Sequence, residues 1–282
     1  GAGRGAGSSR CGGWGVTAAE GPRMRSIAAD YAADKGDPSP YLRAIAVAGF
    51  SHVHWCHQGD TGFVYMDAEV DQIGAWVGEY GIKLLDLHAS CGPEKRWWSD
   101  IEYERVAGVE LVRNRIDMTA RLGGDAVVMH IPADPEGIPV RRSLDELESF
   151  ARSRGIRIAL ENGSFDAINP LLRDYDPAYV GLCYDCGHGN NAGDGLDRLA
   201  ETLDRLIVIH FHDNDGEGDL HQLPFMGTVE WERLAGLIAA SAYTKPIQME
   251  VGMGKSGIED EVEFLAQAME RGTKIAEMVA AA

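Results

Sequence analysis

The sequence predicts a single-domain α/β fold, a (β/α)8 TIM barrel, on three observations. Short apolar, β-branched runs alternate with helical periodicity, giving eight strand–helix units after residue 23. Such alternation implies parallel strands joined by right-handed crossovers, and eight units of roughly 25 to 40 residues fit a closed barrel. Seven of the eight strands end in, or lie next to, a His, Asp or Glu. An open doubly wound sheet is the alternative, but it normally carries a Gly-rich phosphate loop after its first strand, and this chain has none.

The elements follow in order. Residues 1–23 begin GAGRGAGSSRCGGWG, a Gly/Ser-rich stretch without the apolar centre of a signal peptide, and read as a flexible leader. The catalytic domain then spans 24–282, opening with a strand over Met24–Tyr31 and a short helix over Pro40–Ala48. GFSHVHW is a strand ending near His57. Asp67–Tyr80 is a helix with Val70, Ile73, Trp76 and Val77 on one face. GIKLLDLH runs as a strand to His88, Ile101–Leu122 as a long amphipathic helix, and DAVVMH as a strand to His130. Ser143–Arg154 is a helix capped by Ser143 with Glu146 three residues on. IRIALE leads to Glu161, a short helix covers Ile168–Arg173, and VGLCYD leads to Asp185. Leu196–Leu203 is a helix, LIVIHFH a strand, Glu230–Ser241 a helix, PIQMEV a strand containing Glu250, and Glu259–Ala280 the closing helix.

Composition narrows the function classes. The 282 residues are 45% apolar and 25% charged, ordinary globular values. The formal charge of −18, from 44 acids against 26 bases, disfavours a nucleic-acid partner, since only short basic clusters occur at Lys95–Arg96 and Arg141–Arg142. No run of about 18 apolar residues is present, so no membrane span is expected. Five scattered cysteines fit reduced thiols in a cytoplasmic protein, and Cys183 and Cys186, a C-x-x-C around Asp185, read as structural thiols.

The strand ends carry the chemistry. In order they bring His57, His88, His130, Glu161, Asp185, His212 and Glu250 to one face, where a parallel barrel places its active site. A single polar strand end is usually a hydrogen-bonded core residue. Seven in order are hard to explain that way, because each unsatisfied group costs roughly 1–3 kcal/mol. Glu161, Asp185, His212 and Glu250, one from each of strands five to eight, make a set of carboxylates plus imidazole suited to Mn²⁺ foremost, with Mg²⁺, Co²⁺ or Zn²⁺ as alternatives. His188, three after Asp185, reaches the same mouth as a substrate donor or a support for the ligands. Asp213, Asn214 and Asp215 read as orienting their loop. His210, two before His212, points to the same side one layer deeper, and His52 and His54 read as buried structural residues. Trp55 and His57 at the end of the second strand, and Trp97 and Trp98 in the long loop after His88, are candidates to stack on or hydrogen-bond a substrate, or to pack against a helix.

With ALENG, YDCGH, HFHDND and IQMEVG, together with GFSHVHW and the LHAS and MHIP strand ends, the chain resembles the xylose isomerase-like TIM-barrel superfamily. That group holds sugar and sugar-phosphate isomerases and epimerases and the family 2 apurinic endonucleases. In its ketose 3-epimerase branch the resemblance implies one divalent ion on Glu161, Asp185, His212 and Glu250, with His188 holding the substrate; His57, His88, Trp55 and Trp97 join it as substrate candidates by their places at the strand ends and in the loop after His88. It implies proton abstraction next to a carbonyl through a metal-stabilised enediolate, Glu161 and Glu250 moving protons on opposite faces. The branch's substrate-binding Arg after strand seven has no counterpart in DNDGEGDLH, which leaves phosphorylation of the substrate open. An endonuclease IV-like enzyme with three zincs is the alternative, and His88, His130, Glu161, Asp185, His188, His212, Asp219, His221 and Glu250 would be its nine ligands. The D-x-H pair ahead of Pro224–Gly227 and Trp231 also occurs in sugar-isomerase relatives, and the acidic charge opposes a DNA duplex. A dehydratase or lyase on the same scaffold shares the chemistry, a non-catalytic subunit would have lost ligands that are all present, and a homo-oligomer stays open.

Overall fold

The computed structural model describes residues 24–32, 36–56, 63–89, 95–134 and 136–282. The leader over 1–23 and the expected substrate contact His57 lie outside the described residues. Eight parallel strands form the barrel: β1 (Arg25–Ala28), β2 (His52–Trp55), β3 (Lys83–His88), β4 (Ala126–Met129), β5 (Arg157–Glu161), β6 (Val180–Asp185), β7 (Leu206–His210) and β8 (Ile247–Met249). Their order is β7-β6-β5-β4-β3-β2-β1-β8. The ring meets itself where Phe211 bridges Met249, with Phe211 N–H donating to Gln248 O at 2.9 Å and Glu250 N–H to Phe211 O at 3.1 Å.

The helices are α1 (Ser39–Val47), α2 (Asp67–Tyr80), α3 (Glu102–Leu122), α4 (Ile138–Arg154), α5 (Phe165–Asp174), α6 (Cys186–Ala192), α7 (Gly195–Ala200), α8 (Trp231–Ala240), α9 (Met253–Ser256) and α10 (Glu261–Ala281). In α2, Val70, Ile73 and Val77 are buried on one stripe, the Glu69 carboxylate accepts from Met66 N–H, and Gly81 at φ 71° ends the helix in the left-handed region. The Ser143 cap is corrected: α4 begins at Ile138 behind Gly137, and Ser143 lies buried inside it, bonded to the Arg105 guanidinium and to Trp97 O. Pro139 near the first helical position explains the earlier start. The first strand is also shorter than expected, because its chain turns at Ala29.

The barrel interior divides into two halves. Ala126, Val128, Ala159, Cys183, Ile207 and Val208 form an apolar plug from β4 to β7. On the other side Ser26, His54, Asp86 and Gln248 are fully buried polar residues. Burying polar groups in a barrel costs free energy unless they find partners. No described helix is long and apolar enough to cross a membrane.

Candidate metal centre

The C-terminal strand ends converge as expected for parallel strands. Glu161, at the end of β5, is the hub. Its Oε2 lies 2.7 Å from His130 Nε2 and 3.2 Å from His88 Nε2, and its Oε1 lies 2.8 Å from His210 Nδ1. That same His210 nitrogen is 2.7 Å from Glu250 Oε2 and 3.7 Å from Asp185 Oδ2. Glu161, Asp185, His210 and Glu250 can therefore each offer one atom to a common ion, all within 4.8 Å of one another.

His212 sits beside this group. Its Nε2 is 2.9 Å from both oxygens of Asp185, and its ring stacks on His221 with centroids 4.2 Å apart. His210 lies two residues earlier, at the end of β7. Residues two apart on a strand share a side, but strand tilt sets which of the neighbouring carboxylates each reaches. His210 bridges two of the acids, Glu161 and Glu250, while His212 groups with His221 and Glu250.

The outer donors follow. Asp185 caps α6 by accepting from His188 N–H at 2.7 Å, which holds His188 over the mouth, 3.5 Å from Asp219 Oδ2. Because α6 starts directly from β6, the short strand–helix junction places both residues. His221 adopts φ 47°, an uncommon backbone for a residue with a Cβ. In return its Nδ1–H donates to Glu250 O at 2.9 Å and its Nε2 faces Asp219 at 3.2 Å. Held in this way, its Nε2 would serve a metal on giving up its proton. Asp213 spends its oxygens on Asn214 N–H, Val229 N–H and Trp231 Nε1–H, and Asp215 on Glu217 and Gly218 N–H, so both orient the loop.

The cluster opens into a cavity of about 320 Å³ lined by His88, His130, Glu161, His188, Asp219, His221 and Glu250, with Asp30 and Cys56 on the β1–β2 side. Trp55 and Trp97 do not line it, which corrects their assignment to the substrate. Trp55 alternates with His54 and points away from the barrel axis, donating to Tyr65 Oη at 2.9 Å. Trp97 is fully buried and donates to His130 O at 3.0 Å, and Trp98 packs partly buried beside it. A larger, apolar groove of about 530 Å³ between α1 and α10 is remote from this chemistry.

Electrostatics favour a cation. No lysine or arginine is among the described residues lining the cavity, so the buried acids can be balanced only by imidazolium or by a metal. Burial pushes Glu161 and Asp185 up, but neighbouring imidazoles outweigh it and hold both well below the usual carboxylate range. Glu250 is held at about 2 against burial by His210. Conversely, burial lowers His88, His188 and His221, while adjacent carboxylates lift them to about 8, 10 and 10. The buried Nδ1 of His212, Nε2 of His210 and Nδ1 of His188 have no hydrogen-bond partner among the described residues. Ionised carboxylates interleaved with unpartnered imidazole nitrogens are a donor set that fits a divalent ion.

Comparisons with known proteins agree with this architecture. The chain is 31% identical over 278 residues to y4fM of Sinorhizobium fredii, covering 86% of this chain and 89% of that one. Among solved structures, a D-tagatose 3-epimerase-like protein superposes with a TM-score of 0.76 at 20% identity, over 92% of this chain and 98% of its own. D-allulose 3-epimerase from Methylomonas sp., in complex with D-allulose, superposes with a TM-score of 0.69 at 17% identity, over 88% and 95%. The model of the xylose isomerase-like TIM barrel family matches residues 42–268, and the chain belongs to that family.

Proposed function

We propose that the chain is a divalent-metal-dependent sugar epimerase or isomerase that moves a proton next to a carbonyl, with Glu161 and Glu250 as its acid/base pair. One observation carries the reading: a buried and a half-buried carboxylate, Glu161 and Glu250, both meet His210 Nδ1, at 2.8 and 2.7 Å, in a cavity without a fixed cationic side chain among the described residues. Glu161, Asp185, Glu250 and the imidazoles of His210 and His212 would hold the ion, manganese foremost. A bound divalent cation polarises a carbonyl and makes the adjacent C–H more acidic.

The residues do the rest. One glutamate removes the proton and the other returns one to the opposite face, each exchanging with water through the open mouth. His88 and His130 steady Glu161 in one orientation, and His188 presents a donor to a substrate hydroxyl. The solved relatives named for D-tagatose and D-allulose support a ketose as substrate. The test is a panel of ketohexoses and ketopentoses in D2O with Mn²⁺-loaded protein. Deuterium at the carbon next to the carbonyl is expected, and its absence from every sugar would overturn the reading.

A second reading is favoured by one observation. All nine candidate ligands of an endonuclease IV-like site, including Asp219 and the His88–His130–Glu161 group, stand around this one mouth. About three Zn²⁺ per chain together with nicking of an abasic duplex would select it. Its cost is a charge of −18 facing a polyanion.

A further inference from the structure

Below the plane of strand-end acids, the barrel interior holds a histidine that the proposed chemistry has not used. His54 is fully buried on β2, and its Nδ1 lies 2.7 Å from Asp86 Oδ1. Asp86 is itself fully buried on β3, with Lys245 Nζ 3.4 Å from its other oxygen. Lys245 also lies 2.5 Å from Asp125 at the barrel floor. The Asp86 carboxylate therefore sits between the Lys245 ammonium and the His54 ring. A carboxylate beside an ammonium accepts from His54, so Nδ1 is the donor to Asp86 and Nε2 is the nitrogen turned toward the site.

His54 Nε2 has no hydrogen-bond partner among the described residues. It stands 3.8 Å from Glu250 Oε1, too far for a hydrogen bond, and its ring centroid is 5.0 Å from that of His210. Ligand atoms each about 2.1 Å from one ion stand about 3.0–4.2 Å apart, a span that contains the His54–Glu250 separation. His54, His210 and Glu250 each offer an atom within 4.8 Å of the others.

The geometry points to His54 as a ligand, together with His210 and Glu250, of a cation on the inner side of the cluster, with Asp86 as the positioning residue that fixes its tautomer. This rests on the metal-dependent reading above and deepens it. A further imidazole shifts the donor set toward nitrogen, so it favours Co²⁺ and Zn²⁺ over Mg²⁺. Asp86 and Lys245 would then tune metal choice from the floor side, without touching the ion or the substrate.

Equilibrium titration of the full chain with Co²⁺ and with Mg²⁺ tests this. His54→Gln is expected to weaken Co²⁺ binding about 10- to 100-fold with a much smaller effect on Mg²⁺, and Asp86→Asn to weaken Co²⁺ about 10-fold with the same bias. A purely structural role would weaken both ions alike, and that result, or unchanged Co²⁺ affinity, overturns the inference. Should the variants fail to fold, an anomalous difference map of Co²⁺-loaded wild-type crystals decides. An ion about 2.1 Å from His54 Nε2 supports the inference, and one beyond about 3 Å overturns it. Wild-type protein that binds no ion at all would instead sink the metal-dependent reading itself.

Discussion

Glu161 combines burial with three imidazole contacts, and that combination decides what its removal does. Glu161→Gln keeps the shape but trades an acceptor-only carboxylate for an amide that must also donate, against His88, His130 and His210. Turnover is expected to fall about 10²- to 10⁴-fold, the usual worth of a positioned acid or base, with deuterium wash-in falling in parallel. Wild-type turnover in the variant would exclude Glu161 as the base. At this scale the sequence identified residue types better than depths. Parity along GFSHVHW already separates His52, His54 and Cys56 from Trp55, so the outward direction of Trp55 was legible. Which acids His210 and His212 each meet was not, because that depends on barrel tilt. Asp86 went unnoticed because a lone acid in GIKLLDLH carries no motif until His54 and Lys245 are seen on either side of it.

At the scale of elements, the site depends on how closely α6 approaches β7. A Cβ on Gly187 would fall 2.0 Å from His212 Cε1, so the absent side chain is what makes room for that ring. Helix propensity alone favours alanine over glycine by about 1 kcal/mol, and the clash opposes it. Gly187→Ala is expected to displace His212 and weaken metal binding about 10-fold, read by chelator competition. Gly78→Ala is the matched control. It lies exposed in α2, a Cβ there meets nothing within 4 Å, and it should stabilise the fold by about 0.5–1 kcal/mol without changing metal affinity. Equal metal affinities in the two variants would contradict the packing argument. The sequence shows the strands and long helices clearly because their periodicities differ. It hid α6, since CGHGNNA has two glycines and no apolar stripe, and that helix forms on the Asp185 cap and tertiary packing.

For the whole molecule, the barrel carries a line of charged and polar groups from mouth to floor: Glu250, His54, Asp86, Lys245, Asp125 and Arg157. Removing the Lys245 ammonium leaves buried Asp86 with His54 alone beside it, so Lys245→Met should cost about 3 kcal/mol of unfolding free energy. Burial lowers Lys245, but Asp125 and Asp86 outweigh it and raise it above its ordinary 10.5. A cation with a raised folded pKa contributes stability that is complete below the unfolded value and lost as pH climbs through the folded one. Denaturant unfolding should therefore weaken above about pH 10.5, with the Lys245 contribution to that slope missing from Lys245→Met. Identical alkaline slopes would remove Lys245 from the account. At the mouth, a cation relieves repulsion among Glu161, Asp185 and Glu250, and binding only the folded state at 100 times its dissociation constant adds about 2.7 kcal/mol. Mn²⁺ should raise the melting temperature and EDTA should reverse it, whereas a melting curve indifferent to both would argue against a built site. The barrel itself was legible at this scale, because eight alternations with polar strand ends leave few other topologies. The mouth-to-floor line was not, since its members are scattered from residue 54 to residue 250 and meet only through closure of the ring.

Metal stoichiometry is the most direct measurement. After loading with Mn²⁺ and exhaustive dialysis, elemental analysis should find one ion per wild-type chain and far less in Glu161→Gln and in Asp185→Asn. A wild-type chain that retains no divalent ion, or variants that retain as much as wild type, would contradict the convergence of these strand ends on a shared cation.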